Sequence, residues 1–396
     1  MGNRNGEETT SKRPRITLQD ALNARISRDA LIALHESPGV GDWAMCKVVQ
    51  YGMQYPDVLP AAARLRAGDW REMGLSAAQA DAVVDSFRPE SRQRRARRYR
   101  EAGIGIMTFV DDRYSPLLRE IADPPWVLYY RGNWELAHRP AIAIVGTREA
   151  TAYGRKVAEA IARGCARRMT VVSGLARGID AAAHQGALGG ANGTVGVLAS
   201  PVDQCYPTEN RRLYDAIAEQ GLLLSETPPD MPVHPGMFPK RNRVIAGLSM
   251  GVVVVEAAGK SGALITADLA LDYDRDVFVV PGPVDAPRSK GALEYFRRGA
   301  VPALDESDIF AMYGHRLPPE SPKAAVVDAE RSGVEAREEL SEDERAIFDF
   351  LAERPLSIDE LAQRSGMTFG LLQSVLLSLL IKRRINQQPG SVYKVL

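Results

Sequence analysis

Four short segments between Ile142 and Ala267 combine glycine, arginine and hydroxyl side chains at spacings suited to phosphate. They are Val145-Gly-Thr-Arg148, Ser173-Gly-Leu-Ala-Arg-Gly-Ile-Asp180, Phe238-Pro-Lys-Arg-Asn-Arg243 and Ser261-Gly-Ala-Leu-Ile-Thr-Ala267. Glycine lets backbone N–H groups approach an anion, and a helix N-terminus adds its dipole. An arginine fork grips phosphate oxygens in pairs. Three of the four lie at or just beyond the end of an apolar run. In an open α/β sheet, turns at the strand carboxyl ends converge on one crevice. Several such turns suit a ligand with more than one phosphate, and a polynucleotide single strand is the first choice.

Each residue type also has a plainer use. Arg148 directly follows a strand and a glycine, which favours a ligand role over a structural pair with an acid such as Glu226. Asp180 and His184 fall at i and i+4 on one helical face, an arrangement that more often holds a loop than moves a proton. Lys240 and Arg243 are spaced to share one face, with Arg241 elsewhere. Asn210 follows Tyr206-Pro207, and Tyr206 is either a stacking ring or, as the favoured reading, a core side chain. Neither a G-x-G-x-x-G with its distal acid nor a G-x-x-x-x-G-K-[ST] is present, which argues against NAD chemistry and an ATPase.

Composition narrows the class. The 396 residues carry 50 basic and 50 acidic side chains. Residues 140–312 hold 18 Lys/Arg against 19 Asp/Glu, so the domain-wide basic field usual in duplex binders is missing. Nucleic-acid binding must then come from locally clustered arginines and backbone donors. Cys46, Cys165 and Cys205 form no metal or disulfide pattern, and no apolar run suits a signal peptide or a membrane span. A cytoplasmic protein is expected.

The elements that must position these turns follow from periodicity. Residues 1–22 read as a disordered leader. Residues 23–102 read as helical, with Ser37-Pro-Gly-Val-Gly41 between two amphipathic stretches and a weaker unit around Met73-Gly-Leu-Ser76. A helix-hairpin-helix gripping a DNA phosphate and a small bundle with a glycine turn both fit. Six arginines between Ser91 and Arg100 suggest a solvated helical face.

Residues 103–313 begin with a small α/β connector. Continuous apolar runs then follow at Ala141–Val145, Thr170–Ser173, Thr194–Leu198, Leu222–Ser225, Val252–Glu256 and Val277–Pro281, separated by amphipathic stretches. Apolar strands without alternation imply a parallel sheet covered on both faces, a doubly wound Rossmann-like domain. Residues 314–340 read as a linker. Residues 341–396 show capping boxes at Ser341–Glu344 and Ser357–Glu360, a helix start at Thr368 and a strand pair turning at Pro389-Gly390: a winged-helix layout. Its third helix carries no basic residue before Lys382, so base readout by that helix is not expected.

These turns, in this order, resemble the DNA-processing protein A family (DprA/Smf) from about residue 25 onward. The resemblance rests on Ser173 to Asp180 with Ala183-His184, Tyr206-Pro207 with Asn210, Phe238 to Ser249, and Ser261 to Ala267. It implies a SAM-like helical N-domain, an extended Rossmann domain and a winged-helix tail. It also implies single-stranded DNA binding in the crevice, dimerisation through the central domain, and loading of a RecA-type recombinase in natural transformation. No turnover and no cofactor are implied. The DNA contacts implied by matching motif are Gly146, Thr147, Arg148, Ser173, Gly174, Arg177, Asn210, Lys240, Arg241, Asn242, Arg243, Ser261, Gly262 and Thr266. The chain departs from the family pattern at Thr208, Leu293, Tyr295-Phe296, Leu380 and Arg383.

Two rivals remain. A phosphoribohydrolase-like enzyme on the same scaffold would draw its carboxylate from Glu256, Asp203 or Glu226, although the run after Glu256 lacks that family's Pro-Gly-Gly-x-Gly-Thr block. A sensor of a small nucleotide would use the same pocket.

Overall fold

Apolar runs with both faces covered build the centre of the molecule. A computed structural model describes residues 16–319, 340–382, 384–388 and 392–395. Within it a nine-stranded sheet runs in the order β1-β2-β6-β5-β4-β3-β7-β8-β9. The strands are Gly105–Thr108, Val127–Gly132, Ala141–Val145, Thr170–Ser173, Thr194–Leu198, Leu222–Ser225, Gly251–Val254, Asp276–Val279 and Val301–Pro302, named β1 to β9 in chain order. From β6 to β9 across the sheet all neighbours are parallel, whereas β1 and β2 join antiparallel beyond β6. The expected connector is thus an edge of the main sheet.

Every residue of β3 is buried, and its side chains divide between two layers. Ile142 and Ile144 pack with Ala158, Ile161 and Ala183, on the helices Ala152–Cys165 and Ile179–Ala187. Ala143 and Val145 pack with Val244, Ile245 and Ala267, on the helices Met237–Gly247 and Gly262–Asp272. Strand alternation with helices on both faces is the doubly wound arrangement. The chain runs outward from β3 through β4 and β5 to β6, then returns to the other side of β3 at β7. The switch point therefore lies at the carboxyl ends of β3, β4 and β7.

The helical region packs against this sheet, and the described residues up to 319 form one compact unit. The helices Arg28–Glu36 and Asp42–Gln54 flank a turn in which Gly39 has φ +77, and Ala67–Glu72 and Ala77–Ser86 flank a second with Gly74 at φ +91. Arg28 donates to Asp111 and to the carbonyl of Ile106, while the Tyr99 and Tyr129 hydroxyls donate to Glu36.

Two boundaries differ from expectation. Of the expected leader, residues 1–15 lie outside the described residues. Thr17 caps the helix Leu18–Asn23 in a capping box, and Ile16 and Ala21 are buried, so order begins earlier than composition suggests. Of the expected linker, residues 320–339 lie outside the described residues. Residues 314–319 are tied to the domain, because Arg168 donates to the carbonyls of Gly314, Leu317 and Pro318 and Leu317 is buried.

The second unit carries the helices Glu342–Glu353, Ile358–Ser365 and Phe369–Ile381. Both capping boxes are present. The strand pair Ile385–Gln388 and Val392–Val395 gains a third member, Leu356–Ser357, too short to be read from pattern. Pro389-Gly390 lies outside the described residues. Among the described residues no helix is long and apolar enough to cross a membrane.

Candidate nucleic-acid interface

The crevice opens at the switch point. Gly146, Thr147 and Arg148 line it from the end of β3, Ala176 and Asp180 from the turn after β4, and Ser261, Gly262 and Thr266 from the helix after β7. Phe238, Arg241 and Asn242 close it from the helix Met237–Gly247. Four distant segments thus meet in one cleft. A second hollow adjoins it, sharing Arg148, Phe238 and Arg241 and adding Gly174, Arg177, Tyr206 and Pro207.

The floor is built by buried polar contacts. Arg241, only 8% exposed, donates to the carbonyl of Gly174 at 2.6 Å and to that of Val197. Burial pulls its pKa down to about 10, against the pull of Asp180. The Asp180 carboxylate accepts from the backbone N–H of Gly174 at 3.1 Å and of Ala176 at 3.4 Å. Burial raises its pKa, with Arg241 opposing. A Cβ at Gly174 would lie 2.5 Å from the Arg241 fork and would push it off the Gly174 and Val197 carbonyls. Gly178, at φ +78, would bring a Cβ to 2.4 Å from the carbonyl oxygen of Thr147.

The rim is different. Arg148 lies 5.3 Å from the ring centroid of Phe238, and the Tyr206 ring lies 5.6 Å from the same ring. Among the described residues no carboxylate pairs with Arg148, and Glu226 is taken by other cations. Tyr206 is 47% exposed, not a core side chain as its composition context favoured. Ser261 caps its helix by accepting from the Ala263 N–H. Asn242 Nδ2 donates to the carbonyl of Gly262 at 3.3 Å, joining the two helices that face the cleft.

Several expected contact residues are used internally. The Ser173 hydroxyl is buried and donates to the Ile144 carbonyl at 2.6 Å. Asn210 Nδ2 donates to the carbonyls of Leu175 and Ala176, clamping the turn after β4 from behind. Arg177 is exposed beside Glu209 at 3.5 Å. Lys240 and Arg243 do share a flank, but it faces Glu226 instead of the turns that follow β3 and β7. Arg243 is 4% exposed and donates to both Glu226 oxygens, at 2.6 and 2.7 Å. A phosphate contact by Arg243 is therefore replaced by a buried ion pair, because Glu226 would otherwise be an unpaired charge. Lys240 is 45% exposed, with its Nζ 3.1 Å from Asp42 and 3.4 Å from Glu226.

His184 is also structural. It is fully buried, shares a 2.7 Å hydrogen bond with the Thr194 hydroxyl, and has its pKa pulled to about 3 by burial. Asp180 and His184 each hold the fold through separate partners. Phe238 is the residue that the sequence did not single out; it joins Tyr206, weighed above as a stacking ring, in one aromatic rail. Its signal was an aromatic residue opening the Phe-Pro-Lys-Arg-Asn segment.

Residues 105–314 match the family model of DNA recombination-mediator protein A, and residues 331–391 match the DprA winged helix domain. Protein Smf of Synechocystis is 36% identical over 321 residues, covering 73% of this chain and 79% of that protein. DNA processing protein DprA of Bacillus subtilis is 41% identical over 214 residues, covering 54% of this chain and 72% of its own. Among solved structures, DNA processing protein A of Streptococcus pneumoniae superposes with a TM-score of 0.64 at 32% identity, covering 72% of this chain and 98% of that one. The structure describing the single-stranded DNA binding mode of DNA processing protein A from Helicobacter pylori superposes with a TM-score of 0.50 at 30% identity, covering 54% and 97%.

Proposed function

Since the chain belongs to the DprA/Smf family of DNA recombination mediators, we propose that its switch-point crevice holds single-stranded DNA. The observation that carries this reading is the rim: Arg148, with no carboxylate partner among the described residues, lies against Phe238, which in turn meets the exposed Tyr206. An arginine for phosphate beside two aromatic faces for bases is how a single strand is held without sequence preference. Gly146, Thr147, Ser261 and Gly262 supply the backbone around a phosphate. Lys240 adds a half-exposed cation at the flank, beside Asp42 and Glu226, and Arg241, Asn210 and Ser173 hold the turns in place.

The bound strand is then handed to a RecA-type recombinase, with the protein acting as a homodimer through its central domain in the cytoplasm. The family supports this part of the reading. Turnover is not part of it, and the carboxylates weighed for a hydrolase each have a partner in the fold. Glu256 accepts from the Thr151 N–H at 3.0 Å and its hydroxyl at 2.5 Å, Glu226 binds Arg243, and Asp203 meets Arg98.

The deciding experiment is anisotropy with labelled poly-dT at two salt concentrations, for wild type and Arg148→Ala. Tight salt-dependent binding that weakens in the variant supports the crevice. Absence of binding by wild type, with release of free base from a nucleoside monophosphate, would establish the hydrolase instead.

A further inference from the structure

The helix Pro89–Glu101 carries six arginines, and the structure divides them into two sets. Three are spent on the fold. Arg92 pairs with Asp29, Arg95 with Glu36, and Arg98 with Asp203 and Asp230. The other three, Arg94, Arg97 and Arg100, are exposed. Arg94 meets only the Ser91 hydroxyl, at 3.3 Å, and neither Arg97 nor Arg100 has a side-chain partner among the described residues.

These three recur every third residue, so they fall within a sector of about 120° and span about 9 Å along the helix axis. Like charges at this spacing repel one another. Acids are not scarce in the chain, which has as many as it has bases. The helix nonetheless gives each inward arginine a carboxylate and leaves the outward row without one.

Position links the row to the crevice. Asp203 and Asp230, which hold Arg98, lie on the segments after β5 and β6, at the carboxyl edge where the crevice opens. The Asp203 segment continues to Tyr206, whose ring packs on Phe238 beside Arg148. The helix is thereby tied to the loop that forms one end of the aromatic rail.

We propose that Arg94, Arg97 and Arg100 form a second phosphate-binding surface that takes the backbone of the same single strand where it leaves the crevice. This rests on the crevice reading above and extends it. The ligand is the phosphodiester chain, recognised by charge alone, since among the described residues no aromatic side chain is exposed on this helix.

The test compares full-length wild type with the Arg94→Gln/Arg97→Gln/Arg100→Gln variant. Glutamine keeps helix propensity close to that of arginine. Binding is measured across a salt series for a dT oligomer of about six nucleotides, which fills one site, and one of about 30, which extends beyond it. The variant is expected to bind the short oligomer within twofold of wild type. It should bind the long one at least tenfold more weakly at low salt, with a salt slope shallower by about 2, three single-strand phosphates at about 0.7 each.

An unchanged slope for the long oligomer overturns the proposal, and so does an equal loss for both lengths. An acidic protein partner captured by the row with no change in DNA binding would also overturn it. If wild type binds neither oligomer, the crevice reading itself has failed. If wild type binds both and the variant matches it, only the present proposal fails.

Discussion

The Arg148 guanidinium stands 5.3 Å from the centroid of the Phe238 ring, although the two residues are 90 positions apart and come from opposite sides of the crevice. One follows β3, the other opens the helix Met237–Gly247. An aromatic face orients a guanidinium without neutralising it, so its N–H groups stay available to an anion. Removing the ring should matter as much as removing the charge, but with a different signature. Phe238→Ala is expected to weaken poly-dT binding by about 1–3 kcal/mol at every salt concentration, the usual worth of one base–aromatic stack. Arg148→Ala should also flatten the salt slope by about 0.7. Identical slopes in both variants would assign the two residues a single role.

Arg241 is expected to report on stability before affinity. Its fork is bonded to the Gly174 and Val197 carbonyls beneath the crevice, near the buried Asp180. Arg241→Met should cost on the order of 3–5 kcal/mol in urea unfolding, as expected for breaking a buried charge arrangement. A variant of normal stability with lost DNA binding would place Arg241 on the ligand instead.

Lys240 and Arg243 share Glu226 but differ in burial, which separates their phenotypes. Lys240→Ala should change stability by no more than about 1 kcal/mol, because its 45% exposed side chain makes screened pairs. It should weaken oligonucleotide binding if its chain swings to a phosphate. Glu226→Gln strips Arg243 of its bidentate partner and should cost on the order of 3–5 kcal/mol. Thermal unfolding of the two variants side by side checks the contrast.

Acid should destabilise the fold through His184. Its pKa is about 3 in the folded protein against 6.5 unfolded, so the unfolded chain takes up the proton first as pH falls. The contribution is complete above pH 6.5 and erodes toward pH 3, by about 1.4 kcal/mol per pH unit while the histidine is charged only when unfolded. Urea midpoints between pH 6.5 and 5 should therefore fall more steeply in wild type than in His184→Gln. Parallel curves would show that the imidazole is not kept neutral.

What the residues alone determined is local or periodic. The continuous apolar run Ala141–Val145, one of six separated by amphipathic stretches, reads as a doubly covered strand, and Ser341–Glu344 and Ser357–Glu360 cap helices through contacts three residues apart. Gly174 and Gly178 permit the tight turn after β4. Such signals are readable because the partners are neighbours in the chain.

Which way an arginine points is not local. Arg148, Arg241 and Arg243 have the same chemistry and similar motif contexts, yet one lies on the half-buried Phe238 ring, one beneath a turn and one against Glu226. Local context favours the core for Tyr206, which is half-exposed against Phe238, and the ligand for Ser173 and Asn210, which instead hold the backbone. Those outcomes depend on side chains and carbonyls 17 to 90 positions away in the chain, arriving only when the sheet closes. A buried charge must then take the nearest opposite charge or carbonyl that packing provides. The sequence alone determined that phosphate-binding turns exist, and tertiary packing decided which of their cations remain free to use.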